Sequence, residues 1–383
     1  MVAVHEHHMR KALALAEQGR GLVSPNPLVG AVLVRDGVVV GEGWHVGPGR
    51  PHAEIVAVEA AGEAARGATL YVTLEPCAHF GRTPPCAPRL IEAGIGRVVA
   101  AIGDPNAQVD GRGFAQLRQA GIEVEVGVLA EKAARQNRAF LRHTGTGRPF
   151  VTLKMAASLD GKAAARDGSS RWITGEEARA EVHRMRAGAD AILVGAGTAF
   201  RDDPSLTVRD PGFGGGPKLR VIVDGRGIVP ETHAVFTDGR APTLVATTEG
   251  APDERRDGWR AAGAEVLLLD DAGSSLIPLD ALLDDAGSSL IPLDALLDEL
   301  GKRDVQHVLV EGGPTLAWEL VARDLVDEVV LFVAPILVGG QDAPSILMGG
   351  GTPTIGEAIR LRLIEVTRIG DDLKVVADVH RDR

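Results

Sequence analysis

Apolar residues at Met9, Ala12, Leu13 and Ala16 fall at the i, i+3, i+4, i+7 spacing of one helix face and stop at Gly19, so the chain opens on an amphipathic helix closed by glycine. Two β-rich runs follow in "VGAVLVRDGVVVGEGW", with Arg35-Asp36-Gly37 between them as a hairpin turn. "TLYVTL" and "RVVAAIGD" have the apolar character of buried strands. Pro51 can start a helix through "HAEIVAVEAAG", and "FAQLRQAG" makes another before the strand-like run "IEVEVGVL". Helices alternating with strands mean α/β layering. The segment Arg142 to Pro149, "RHTGTGRP", gathers small and turn-forming residues between periodic stretches and reads as a linker. It divides the chain into residues 1–147 and 148–383.

A new pattern begins at "FVTLKMAASLDGK", and the alternation resumes. "ADAILVGAGT", "LRVIVDG", "PTLVATT", "AEVLLLD", "HVLVEGG" and "EVVLFVAPIL" are strand candidates separated by helical or glycine-rich stretches, a second α/β domain. Within it "DDAGSSLIPLDALL", Asp270 to Leu283, recurs letter for letter at Asp284 to Leu297. Solenoids need several diverged repeats, so two identical copies point to a recent duplication. In the second copy Pro292 can begin a helix whose Leu293, Leu296, Leu297 and Leu300 share one face. In the first, the stripe begun by Leu279, Leu282 and Leu283 runs into Asp284, Asp285, Ala286 and Gly287. The second copy is therefore expected to supply the native helix, and the first a short peripheral helix or loop.

Length agrees with two domains, since a single core usually stops growing near about 250 residues and the chain has 383. A formal charge of −11 argues against a surface for nucleic-acid phosphates and favours a small-molecule substrate. No stretch of about 18 uninterrupted apolar residues occurs, and the N-terminus lacks the basic and apolar regions of a secretion signal. The chain thus reads as cytoplasmic, with no membrane partner; a homo-oligomer is left open. In that compartment thiols stay reduced, which makes the only two cysteines, Cys77 and Cys86 in "EPCAHFGRTPPC", candidates for a metal or catalytic site.

His52 and Glu54 stand in "PHAE" at a helix start, and Cys77 follows a strand. His52, Cys77 and Cys86 make a three-ligand set of the kind that holds catalytic Zn2+ and leaves a fourth position to water. Bound zinc would bring the pKa of that water from about 15.7 to roughly 7. Glu54 could then carry its proton to a ring nitrogen and a departing amine. A structural zinc or a disulfide is the other use of such a pair, and neither gives Glu54 a role. The order H-x-E, then P-C and a second cysteine, is similar to the signature of zinc deaminases, although here the cysteines are nine positions apart. His5, His7 and His8 precede the amphipathic face and read as surface histidines.

"SPNPLVGAVLV", "GWH", "PHAE", "LEPCAHFGRTPPC" and "DPNAQVDGRG" resemble, in order, the deaminase half of the bifunctional riboflavin-biosynthesis deaminase/reductase family. "KMAASLDGKAA", "SRWITGEEAR", "HRMRAGADAILVGAGTAFRDDPSLTVR", "LRVIVD" and "LVEGGPTL" resemble its reductase half, so nearly the whole chain is covered. The resemblance implies a cytidine-deaminase-like α/β/α zinc domain followed by a dihydrofolate-reductase-like α/β domain. It implies hydrolytic deamination of a diaminopyrimidinone ribosylamino phosphate, then reduction of the ribosyl side chain to ribityl with NADPH. Carried over, Asn26, His45, His79, Arg82, Asp104 and Asn106 become deaminase substrate contacts. On the residues alone, Asn26 between two prolines is equally a turn residue, and His45 an ordinary half-buried histidine. The chain departs from the family at Ala107, usually proline, and at Arg82, often lysine.

In the second half the resemblance makes Ala156, Trp172, Thr198, Asp202, Asp224 and the run Gly313, Pro314, Thr315, Leu316, Ala317, Trp318, Glu319 the cofactor side. Lys154, Ser170, Arg186, Asp203, Leu206, Arg209 and Glu311 become the substrate side. Arg186 and Arg209 would suit a phosphate, because guanidinium pairs with its oxygens bidentately, and Lys154 is the candidate proton donor. "VGAGTAF" lacks the third glycine of a dinucleotide fingerprint and gives no Rossmann fold. The competing function is a lone reductase carrying a degenerate structural zinc module; Glu54 is the residue that favours catalysis.

Overall fold

The computed structural model describes residues 2–81, 83–106, 109–209, 212–270 and 291–380. The chain divides into two compact units, Met1–Gly147 and Arg148–Arg383. No helix among the described residues is long and apolar enough to cross a membrane.

The first unit runs α1 (Val2–Glu17), β1 (Gly30–Arg35), β2 (Val38–Trp44), α2 (Ala53–Ala61), β3 (Thr69–Leu74), α3 (Cys86–Glu92), β4 (Arg97–Ile102), α4 (Arg112–Gln119), β5 (Glu123–Val126), α5 (Ala130–Gln136) and α6 (Arg138–Thr146). The hairpin forms where the pattern places it: Arg35 faces Val38, and Asp36 and Gly37 have φ of 51° and 77°, the pair of left-handed residues that a tight hairpin turn needs. Strand order is β2-β1-β3-β4-β5, with β3, β4 and β5 mutually parallel. Inward residues of one sheet face, Leu33, Leu70, Val72 and Val98 among them, pack on Ala53, Ala57, Leu90, Phe114 and Leu117 of α2, α3 and α4. The opposite face packs Val32, Tyr71 and Val99 against Met9 and Ala12 of α1 and Ala133 of α5. Apolar residues on both faces of each central strand thus make a three-layer α/β/α unit.

One reading needs correction. Arg142 to Thr146, read as linker, is the last part of α6, which ends at Gly147 with φ 74°. The buried Asn137 amide binds Leu28 twice, accepting its N–H at 2.8 Å and donating to its carbonyl at 2.9 Å. That clamp fixes where α6 begins, and propagation from a formed turn outweighs the cost of about 1 kcal/mol for Gly145.

The second unit runs β6 (Phe150–Ser158), α7 (Glu176–Gly188), β7 (Ala191–Gly195), α8 (Ala196–Asp202), β8 (Leu219–Val223), α9 (Ala234–Thr237), β9 (Thr243–Thr247), α10 (Asp253–Ala261), β10 (Glu265–Leu268), α11 (Leu293–Lys302), β11 (His307–Val310), α12 (Pro314–Ala322), β12 (Glu328–Ala334), β13 (Leu361–Ile369) and β14 (Asp372–Val379). Its sheet has the order β10-β9-β8-β7-β11-β6-β12-β14-β13. From β10 to β12 neighbouring strands are parallel, and β14 and β13 close the sheet antiparallel. The chain therefore steps outward from β7 to β10 and returns through α11 to place β11 between β7 and β6. The carboxyl ends of β6, β7, β8 and β11 line one edge of the sheet, where open α/β sheets hold ligands. The β13–β14 hairpin escaped the pattern analysis, although Gly370-Asp371 between two alternating runs was a usable turn signal.

Leu293, Leu296, Leu297 and Leu300 are all buried in the core beneath the sheet, together with Val151, Leu193 and Val308. The second copy of the duplicated segment thus supplies a packed helix. The remainder of the first copy, residues 271–283, lies outside the described residues. If the first copy is the loop expected from the sequence, deleting Asp270 to Leu283 should leave the melting temperature of the protein within a few degrees of the parent's, because doubling a loop changes closure by only about 0.6 kcal/mol. Loss of soluble, active protein on that deletion would show that the first copy is packed as well.

Candidate functional site

In the first unit the site grows from two helix starts above one sheet edge. Gly41 and Gly43 of β2 let α2 lie directly on the strand: a Cβ there would come within 2.2 Å of the Ala57 carbonyl oxygen and 2.3 Å of that of Ala53. This contact sets the height of His52, still extended just before α2, and of Glu54 in its first turn. Cys77 follows β3, and Cys86 opens α3 behind Pro85. The intervening loop doubles back, so that the Cys86 N–H donates to Cys77 Sγ at 3.4 Å and the Ala87 N–H to the Cys77 carbonyl at 3.0 Å.

His52 Nδ1 consequently lies 3.6 Å from Cys77 Sγ and 3.2 Å from Cys86 Sγ. Bonds of about 2.3 Å to sulfur and about 2.0 Å to nitrogen at tetrahedral angles place these atoms roughly 3.6 Å apart, so the set fits Zn2+. Among the described residues it is the only group of three or more His, Cys, Asp or Glu whose ligand atoms converge in this way. A hydrogen bond from the Cys86 thiol holds the Cys77 pKa down to about 4, with His52 and the Cys86 N–H adding to it. The same bond, then burial, pushes Cys86 up. These opposite shifts favour the thiolate at Cys77, the form that binds a divalent cation.

Two neighbours complete this centre. Glu54 is 2% exposed, and burial raises its pKa despite the opposing effect of His52, which suits a carboxyl that must carry a proton. Thr83 Oγ1 lies 3.0 Å from His52 Nε2 and holds the ring by the nitrogen that faces away from the sulfurs. Thr83 was not singled out in the sequence, where a threonine before two prolines looks like loop.

The other first-unit candidates gather around the same edge. His45 is buried, its Nδ1 donates to the Pro51 carbonyl at 3.2 Å, and its Nε2 therefore accepts from Asn26 Nδ2 at 2.9 Å. Burial lowers its pKa and keeps the ring neutral, which fixes which way the Asn26 amide points. Its ring meets that of His52 edge-on at 5.3 Å. The buried Nδ1 of His79 has no hydrogen-bond partner among the described residues. Asp104 accepts the Asn106 N–H at 2.9 Å, and burial raises its pKa. Arg82 and Ala107 lie outside the described residues. His8, read as a surface residue, is instead buried with its ring 4.9 Å from Tyr71, because α1 turns that face onto the sheet.

In the second unit Lys154 and Ala156 point to the same side of β6, and Glu311 follows β11. Arg186 of α7 grips Glu311 bidentately at 2.5 and 3.0 Å and gives a third N–H to the Thr207 carbonyl at 3.0 Å. Three of its five N–H groups are thus engaged, so the expected phosphate clamp is first an orienter of Glu311. Burial lowers the Lys154 pKa, Glu311 opposes this and Arg186 reinforces it. Thr198 of α8 sits beside the start of α12: a Cβ on Gly313 would fall 3.1 Å from Thr198 Oγ1. Trp172 is 69% exposed with the Arg179 guanidinium 4.6 Å above its ring, and Arg171 donates to the Asp202 carbonyl, which brings Ser170 and Trp172 toward the end of α8.

Several carried-over residues act through the backbone. Both oxygens of the fully buried Asp224 accept N–H groups, from Arg226, Gly227 and Ile228 on one side and Val229 on the other, so its carboxylate folds the loop after β8. Asp203 accepts the Ala234 N–H at 2.6 Å, and buried Leu206 has φ 47°. The buried Arg220, unremarked in the sequence, donates to the Ser205 carbonyl at 3.2 Å and supports that turn. Arg209 lies against the His183 ring. Leu316 and Ala317 are core residues, Trp318 packs on Gly349, and Glu319 pairs with Arg323 at 3.0 Å. The run Gly313–Glu319 therefore narrows to the first turn of α12, whose free N–H groups and dipole suit an anion.

Comparison with known proteins follows the same division. Residues 2–102 match the family model of the cytidine and deoxycytidylate deaminase zinc-binding region, and residues 149–375 that of the RibD C-terminal domain. The chain is 42% identical to the riboflavin biosynthesis protein RibD of Bacillus amyloliquefaciens, covering 99% of this chain and 100% of that one. With the Escherichia coli protein of the same name the identity is 39%, over 96% and 97%. Among solved structures, Acinetobacter baumannii RibD superimposes with a TM-score of 0.86 at 36% identity over the full length of both chains. A Thermotoga maritima diaminohydroxyphosphoribosylaminopyrimidine deaminase/5-amino-6-(5-phosphoribosylamino)uracil reductase gives 0.83 at 35% identity over 99% of each.

Proposed function

Because the chain belongs to the RibD family of riboflavin biosynthesis proteins and is a bifunctional deaminase and reductase, we propose that both activities act in turn on one phosphorylated pyrimidine. The first unit hydrolyses the 2-amino group from a diaminopyrimidinone ribosylamino phosphate, and the second reduces the ribosyl chain of the product to ribityl. The observation that carries this reading is the convergence of His52, Cys77 and Cys86 beside the buried carboxyl of Glu54.

His52, Cys77 and Cys86 hold one zinc ion, which when bound supplies a nucleophilic water at neutral pH. Glu54 takes the first proton of the attacking water and delivers it to the ring nitrogen, then carries that water's second proton to the departing amine, which leaves as ammonia. His45 keeps Asn26 turned so that its amide presents a fixed pattern to the pyrimidine edge. Asn106, on a loop pinned by Asp104, serves the same edge, while His79 and Arg82 meet the substrate phosphate.

In the second unit NADPH supplies the hydride. The first turn of α12 and Thr198 receive the cofactor's phosphate side, and the exposed face of Trp172 packs on it. Glu311, held by Arg186, orients the sugar hydroxyls, and Lys154 donates the proton that accompanies reduction. Arg209, with Ser170 and the turn at Asp203 to Leu206, borders the substrate phosphate.

Separating the chain tests the division of labour. A fragment of residues 1–147 with zinc is expected to release ammonia from the diaminopyrimidine, and one of residues 148–383 to oxidise NADPH with the deaminated product, since each unit has its own core. A folded fragment without its activity would show that the sites are shared between units.

A further inference from the structure

Glu75, two residues before Cys77, has no role in the chemistry described above, yet its carboxylate is the most heavily engaged acceptor of the first unit's site. It is 4% exposed and collects four backbone N–H groups. Oε1 accepts from Gly113 at 2.9 Å and Phe114 at 3.2 Å; Oε2 accepts from Gly111 at 3.0 Å and Asp104 at 3.4 Å. Gly113 and Phe114 are the second and third residues of α4, whose N-terminal N–H groups have no partner within the helix. The residue at the capping position, Gly111, has φ 77° and no side chain to cap with. Glu75, the residue just after β3, performs that task with a carboxyl group at the positive end of the helix. Its Oε2 also ties Asp104 to Gly111, closing the loop that carries Asp104 and Asn106. The helix start rests on the same segment: a Cβ on Gly113 would fall 1.8 Å from the Pro76 carbonyl oxygen. An open cleft of about 480 Å³ borders this loop and gives it room to sag if released.

We propose that Glu75 is a positioning residue of the deaminase site, holding the loop of Asp104 and Asn106 and the first turn of α4 in fixed register with Cys77. The proposal rests on the deaminase reading above. Loss of the clamp leaves the metal ligands in place and strands up to four buried N–H groups, so it acts on substrate binding more than on metal binding.

The test is Glu75→Gln in the full-length zinc-loaded protein, with slow amide exchange in β1 and β3 as the folding control, since the second unit has its own core and does not report on the first. Zinc content and reductase activity stay at the parent's level, and the deaminase KM rises about 10-fold or more with a smaller change in kcat. Amide hydrogen exchange, read independently of turnover, speeds up about 10-fold or more at Gly111, Gly113 and Phe114 and is unchanged in β1 and β3. If Glu75→Gln fails the folding control, Glu75→Asp replaces it: one methylene shorter, it draws the acceptor oxygens back from the α4 N–H groups and gives the same KM and exchange changes in smaller measure. An unchanged KM with unchanged exchange overturns the proposal, as does loss of zinc together with activity. If the parent protein releases no ammonia, the deaminase reading fails by itself, and the exchange measurement still decides whether Glu75 clamps the loop.

Discussion

Glu54→Gln is expected to keep about one zinc ion per chain and to lose deamination by about 10²- to 10⁴-fold, the usual contribution of a positioned general acid–base. The substitution is isosteric, and Glu54 does not belong to the converging set of His52, Cys77 and Cys86, so the three donors keep their places. Gln can neither take a proton from water nor return one to the ring. Burial lets a neutral amide sit where the carboxyl, its pKa already raised by burial, sits now, so the helix start is not disturbed. NADPH oxidation on deaminated substrate stays at the parent's rate. Metal analysis with an ammonia assay checks the result, and full deamination by this variant would remove Glu54 from the mechanism.

Cys86→Ser and Cys77→Ser are expected to fail differently, by losing the metal. A hydroxyl remains protonated at neutral pH and is a poor substitute for thiolate, so metal content falls from about one ion per chain toward none after dialysis, and deamination falls with it. Serine differs from cysteine by one atom of similar size, so the fold should survive the change, and the second unit, with its own core, should keep its activity. Thr83→Val, which removes only the partner of His52 Nε2, is expected to weaken zinc binding by about 10- to 100-fold without abolishing it. Zinc retained at parental affinity in all three variants would show that the ligand set is wrong.

What the sequence disclosed and what it hid follow from how far each interaction reaches. The hairpin at Asp36-Gly37 and the leucine stripe of α11 are local patterns and were readable. The grouping of His52, Cys77 and Cys86 was readable because only two cysteines exist and each stands near an element boundary. The helix α6 was misread because its anchor, Asn137, pairs with Leu28, more than a hundred positions away. The supporting residues share that property. Glu75, Thr83 and Arg220 stand inside quoted motifs, but they act on backbone or ring atoms elsewhere in the chain, so the motifs alone gave them no role. Asp224 was marked by resemblance, but only the structure reveals that its carboxylate serves the loop after β8. For the same reason Arg186 was legible as a cation in the site but not as the partner of Glu311.

The most direct test of two activities working in sequence is a paired assay on the full-length chain, in which ammonia release and NADPH oxidation are followed together from the diaminopyrimidine substrate. One ammonia per NADPH is expected at completion, with ammonia appearing first. Glu54→Gln should silence both signals on that substrate while NADPH oxidation returns in full when the deaminated intermediate is supplied. NADPH oxidation from the diaminopyrimidine without ammonia release would contradict the account, leaving a lone reductase beside a zinc module that does no chemistry.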